Sequence, residues 1–180
     1  GVSCVPSRVV GTQAVCTATT EPPPVPCSVD ATSHELLGAS IHIEADDCSF
    51  RSGEGGKFRY RVELPSTIDY AVPASQGCGS CAQDRTDPGA LVVARVGTSS
   101  MQYCPTCDVG CCSPDHAAQW TLKAESYDAV LDWPGRTWSG PSDTNTPLGG
   151  AFAPGRYEVD VTLDVPGVGK LTALLPIVVQ

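Results

Sequence analysis

The 180-residue chain carries 20 acidic against 11 basic residues, a formal charge of −9, together with ten cysteines, 16 prolines and 18 glycines. An excess of negative charge repels polyanions, which excludes nucleic acid and anionic membrane surfaces as expected partners. No apolar run approaches the roughly 20 residues of a membrane-spanning helix, so no transmembrane segment is expected, and the length suffices for one domain with a core of its own.

The first elements met along the chain are cysteines. Cys4, Cys16, Cys27 and Cys48 are widely spaced, whereas Cys78, Cys81, Cys104, Cys107, Cys111 and Cys112 crowd the middle. An even count at this density reads as a disulfide framework made outside the reducing cytosol, with all ten paired. Connectivity stays open. The chain is therefore expected to be exported, extracellular or in the periplasm or outer envelope, and to have lost a signal peptide. Gly1-Val2-Ser3-Cys4 partly resembles the end of a bacterial lipoprotein signal, which makes a lipid anchor on Cys4 the alternative to its pairing. Glu21 to Pro26 holds four prolines in six residues, a stiff linker. It predicts a cysteine-containing arm over 1–30 and a sandwich over 31–180, with a cysteine-rich insertion at about 74–116.

Period-two alternation dominates the remainder, the pattern of half-buried strands. Ile41 and Ile43 begin it. Phe58, Tyr60, Val62 and Leu64 then take one face while Lys57, Arg59, Arg61 and Glu63 take the other. Ile68, Tyr70 and Val72 repeat the pattern, as do Trp120, Leu122 and Ala124, then Tyr127, Ala129, Leu131 and Trp133, then Tyr157, Val159, Val161 and Leu163. Ala90 to Val96 is an apolar run compatible with a strand buried on both faces. Turn signals lie between, and Val165-Pro166-Gly167-Val168-Gly169 should close a hairpin joining Tyr157–Val165 to Lys170–Val179. No helical stripe is visible. Short strands without intervening helices predict an all-β, antiparallel, immunoglobulin-like β-sandwich with a disulfide-braced N-terminal arm and a central cysteine-rich loop region.

Several motifs with chemical meaning also have plainer roles. His34-Glu35-Leu36-Leu37-Gly38 starts like a zinc-protease helix, but Gly38 stands where the second histidine must be. His34, His42 and His116 are too dispersed to define a site, so surface or hydrogen-bonding roles are expected. Gln76-Gly77-Cys78-Gly79-Ser80-Cys81 resembles the nucleophile segment of papain-like proteases, yet Ala82 replaces the aromatic residue and no histidine lies at the required distance. Cys78-x-x-Cys81 and Cys104-Pro105-Thr106-Cys107 have the spacing of a zinc ribbon. In an oxidised chain the same thiols pair, so zinc or copper on Cys78, Cys81, Cys104 and Cys107 is the alternative to disulfides. Glu44-Ala45-Asp46-Asp47, Asp84, Asp87 and Asp143-Thr144-Asn145 offer oxygens for calcium, but without EF-hand spacing, and they are also ordinary turn formers. No cofactor is expected. Trp133 and Trp138 either share an exposed aromatic platform or divide into a core residue and a cover for the sandwich end, the second being preferred.

The segment from Trp133 to Leu163 runs Trp133, Gly135, a polar turn through Gly140-Pro141-Ser142-Asp143, Gly149-Gly150, then Pro154-Gly155-Arg156-Tyr157 and an alternating strand. It resembles the closing hairpin of bacterial immunoglobulin-like modules of the flagellar hook-capping-protein and BsuPI proteinase-inhibitor types. The resemblance covers about thirty residues and implies a fold more than a function. The whole chain is similar to cysteine-rich secreted or lipid-anchored bacterial proteins. The resulting expectation is a non-catalytic, exported, disulfide-stabilised binding or structural module. Its partner is a protein or glycan at the cell surface, met by the loop end carrying Cys78–Cys112 and by Tyr103, Trp138 and Asp143. Thiol metal binding and protease inhibition are the alternatives, and oligomeric state is left open.

Overall fold

The computed structural model describes residues 23–72, 86–98, 100–107, 117–138 and 147–180 in full, and the backbone alone of 2–3 and 17–18. These residues form an all-β protein. In chain order the strands are β1 (Val2–Ser3), β2 (Thr17–Ala18), β3 (Cys27–Ser33), β4 (Ala39–Ala45), β5 (Ser49–Phe50), β6 (Gly56–Glu63) and β7 (Ile68–Val72). They continue with β8 (Val92–Gly97), β9 (Gln102–Tyr103), β10 (Ala118–Leu122), β11 (Ser126–Trp133), β12 (Gly155–Val165) and β13 (Gly169–Val179). A 3-10 turn, Pro88–Leu91, is capped by the Asp87 carboxylate, which accepts the Gly89 N–H at 2.8 Å.

Two sheets carry the architecture, one ordered β11-β6-β4-β3 and the other β5-β13-β12-β8-β9. Among the described residues, the strands within these two sheets pair antiparallel except in the two-residue contact of β5 with β13. The expected hairpin is present: β12 and β13 pair along 11 residues, and Gly167 supplies the positive φ of their turn. β7 and β10 continue the β6–β11 ribbon past a break. The ladder passes from Glu63↔Ser126 through the Leu64 N–H on the Glu125 carbonyl, 3.0 Å, to Ile68↔Leu122. Pro65, which has no N–H to give a ladder, stands at that break.

The inner faces of the two sheets share one core. Ile41, Ile43, Phe58 and Val62 from the first sheet join Val159, Val161, Leu163, Leu171, Leu175 and Ile177 from the second, all at most 6% exposed. Each such side chain contributes roughly 1.5–3 kcal/mol of burial, which is why alternation was so strong along these strands. At one end Trp133 meets Phe50 and Phe152 edge-on, with centroids 5.4 and 4.9 Å away, and Phe152 meets Tyr157 in the same way. The chain turns beneath this cluster at Pro134-Gly135, where Gly135 has φ +74° and a Cβ would strike the Glu54 carbonyl.

Three expectations need correction. The arm-to-sandwich boundary at 30/31 falls inside β3, because Cys27 to Asp30 already pair with β4. The stretch 74–116 is not wholly an insertion, since β8 within it pairs with β12 over five residues. Ala90–Val96 is not buried on both faces: Val93 is 38% exposed while Ala94 and Val96 face the core, so β8 alternates like its neighbours. Trp133, 1% exposed, belongs to the core, the role preferred for it from the sequence over a shared exposed platform.

Candidate functional site

β8 ends at Gly97, and a tight turn closed by the Thr98 N–H on the Met101 carbonyl (2.9 Å) sends β9 back along it. Tyr103 thus stands beside Val96 at the margin of the five-stranded sheet. Trp138 arrives from the far end of the following ribbon and forms a parallel bridge with Tyr103. Its N–H donates to the Gln102 carbonyl at 2.9 Å, and its carbonyl accepts the Cys104 N–H at 2.7 Å. On the other side, the Thr137 N–H donates to the Gly150 carbonyl and Arg136 Nε to the Gly149 carbonyl, at 2.9 and 2.8 Å. These backbone bonds fix the two rings 6.0 Å apart at 30°. Both are half-buried. Burial, with the Asp132 carboxylate adding to it, raises the Tyr103 phenol above its ordinary value and keeps it a donor.

Immediately after Tyr103 the chain turns through Cys104-Pro105-Thr106-Cys107, and the two cysteines are joined with their Cα atoms 5.4 Å apart. Cys104 is fully buried and Cys107 exposed. Neither is a thiolate in this state, and Cys78 and Cys81, the other half of the zinc-ribbon alternative, lie outside the described residues. Another disulfide among the described residues, Cys27–Cys48, spans from β3 to the entry of β5 and so ties one sheet to the other. Cys4, Cys16, Cys111, Cys112 and Asp143 also lie outside the described residues.

The outer face of the four-stranded sheet forms a groove of about 700 Å³ lined by charged side chains. His42 Nδ1 is 2.7 Å from Asp30, and its Nε2 lies 3.6 Å from Glu44. Arg59 bridges Glu44 and Asp46, and Arg61 holds Asp128, with contacts of 2.7–2.8 Å. Ser40 shares the groove with this Asp–His pair, the ingredients of a nucleophilic triad. The geometry does not assemble one, because the free ring nitrogen turns to Glu44. Cross-strand ion pairing is the role these positions fill, as expected for alternating charges on a sheet face.

Several other sequence candidates among the described residues resolve into structural roles, while Asp84 and His116 lie outside those residues. His34 to Gly38 forms the β3–β4 turn: the Leu36 N–H donates to Ser33 Oγ, Leu36 enters the core, and Leu37 and Gly38 take φ of 54° and 84°. Asp47 accepts the Ser49 N–H at 3.0 Å, and Asp87 caps its turn. Among the described residues, no three His, Cys, Asp or Glu side chains gather into a set that could hold a metal ion. The Asp30–His42 pair escaped the sequence, although Asp30, His42 and Glu44 all occupy the outward positions of alternating strands. Comparison with known proteins finds no matching family, no matching curated protein and no matching solved structure.

Proposed function

We propose that this chain is a non-catalytic, exported, disulfide-stabilised binding module that meets a cell-surface protein or glycan through Tyr103 and Trp138. The observation that carries this reading is the pairing of the two rings, distant in sequence, side by side and half-exposed on a rigid sheet margin. Aromatic rings held by the backbone lose little freedom on binding and offer both an apolar face and a polar tip. The two disulfides among the described residues suit an oxidising compartment.

A hydrogen bond supports an immunoglobulin-like sandwich. At the start of β12 the Tyr157 hydroxyl donates to the Ala153 carbonyl, 2.9 Å away and four residues upstream, as in a tyrosine corner. The strand order departs from the constant-type arrangement, in which the third strand crosses to the facing sheet, because β6 stays beside β4.

A glycan array probed with the native protein and with the Tyr103→Ala/Trp138→Ala double variant tests the reading. Loss of two central aromatic anchors should cost at least about 2 kcal/mol, or about thirtyfold in affinity. If the native protein retains no glycan, and its tryptophan emission is also unmoved by peptidoglycan or by envelope protein extract, the proposal fails.

A further inference from the structure

We propose that the Cys104–Cys107 disulfide is a thiol–disulfide exchange site, opened through Cys107 by a dithiol reductant, and that its opening releases the Tyr103–Trp138 pair. Its use in controlling binding rests on the reading of those rings as the contact surface; the exchange chemistry does not.

The two sulfurs differ in access. Exchange requires a thiolate to reach one sulfur of the bond, and here Cys107 is exposed while Cys104 is fully buried. Attack is therefore directed. The incoming thiolate bonds to Cys107 Sγ, the Cys104–Cys107 bond breaks, and its electron pair leaves on Cys104 Sγ, which takes up a proton. The donor's second thiol then attacks the donor sulfur of the mixed disulfide and releases Cys107 as a thiol. The donor is oxidised to its disulfide and the protein is reduced by two electrons.

The reduced state has a place to go. A buried free cysteine behaves as a small apolar side chain with a weak donor, and the Ala94 carbonyl oxygen already lies 4.0 Å from Cys104 Sγ. Reclosure is also easy, because only two residues separate the cysteines. What changes on opening is the turn. Cys104 donates the 2.7 Å backbone bond that holds Trp138, and Tyr103 precedes it directly. By contrast, Cys27 and Cys48 are both half-buried, Cys27 in β3, which pairs with β4, and Cys48 at the entry of β5, which pairs with β13.

The test is a titration of the native protein with dithiothreitol, followed by alkylation and peptide mapping, with tryptophan emission read in parallel. The expected result is alkylation of Cys104 and Cys107 at a dithiol concentration at least tenfold below that opening Cys27–Cys48, with an emission change that Trp138→Phe abolishes. Two single variants check direction: Cys104→Ser should form a mixed disulfide with oxidised glutathione through Cys107, and Cys107→Ser should not form one through Cys104. Opening of Cys27–Cys48 first or together, an emission change that survives Trp138→Phe, or equal trapping in the two variants would overturn the proposal. No binding partner enters these readouts, so an array that shows no glycan binding leaves their outcome untouched.

Discussion

Cys27–Cys48 and Cys104–Cys107 hold their Cα atoms at similar distances, 6.1 and 5.4 Å, yet they enclose very different lengths of chain, with sequence separations of 21 and 3. In a chain-entropy account the first removes about 3 kcal/mol of unfolded-state freedom and the second about 2. Their surroundings sharpen the contrast. The long loop joins an edge strand of one sheet to a strand of the other, whereas the short one is confined to a turn at a sheet margin. The general lesson is that a cysteine count says nothing about division of labour. One bridge serves the sandwich, and the other shapes the ground beneath two aromatic rings.

Replacing each pair by alanine breaks the comparison most forcefully. Cys27→Ala with Cys48→Ala should lower the unfolding free energy by about 3 kcal/mol in urea melts, because among the described strands β3 lies at the sheet edge and pairs with β4 alone. Cys104→Ala with Cys107→Ala should cost about 2 kcal/mol or less and alter amide exchange chiefly around Gln102, Cys104 and Trp138. Equal and global losses from the two double variants would show that the turn is as much a staple as the inter-sheet bridge.

A smaller effect is expected where the aromatic end of the core approaches the turn. The Tyr157 hydroxyl lies 2.9 Å from the Ala153 carbonyl and 3.3 Å from Met101 Sδ, on the loop that leads into β9. Tyr157→Phe should cost about 1 kcal/mol, the worth of one such bond, and should shift the nuclear magnetic resonances of Met101 and Gln102. A variant of unchanged stability and spectrum would mean that the turn stands independently of β12.

Much of the sandwich was legible because one face of each long strand is buried. Phe58 and Val62 face inward and Arg59 and Arg61 outward in β6, as the alternation requires, and the β12–β13 hairpin was readable from its Pro-Gly turn. Two-residue strands such as β5 and β9 have no period to read. Their existence depends on the partner strand, not on local pattern. The same holds for β8, whose apolar run concealed an exposed Val93. At the candidate site, Tyr103 and Trp138 could be nominated singly as aromatic residues in turn-rich segments. Their meeting could not, because it is made by backbone bonds between segments far apart in the chain. The cysteines illustrate a further limit: pairing within a block has many solutions, and Cys104 joins Cys107 because a turn, not a motif, brings them together.

The last prediction returns to the edge strand that Cys27–Cys48 secures. His42 on β4 bonds Asp30 on β3, so its protonation reports whether β3 is in place. The Asp30 hydrogen bond raises the His42 value above its ordinary 6.5, with burial opposing it and the Asp30 and Glu44 charges assisting. Because the folded value is the higher one, the protonated pair's contribution is fully present below about 6.5 and is lost as pH rises through the raised folded value. The effect is small, since the His42 and Asp30 side chains are 40% and 78% exposed. A proton-resonance titration of His42 should give a value above 6.5 in the native protein and a lower one in Asp30→Asn. In the Cys27→Ala/Cys48→Ala variant the same titration locates the damage. A fall to the Asp30→Asn value in a protein that is still folded would mean that the disulfide holds β3 on the sheet, whereas an unchanged value would mean that β3 stays paired and the bridge acts only on the unfolded chain.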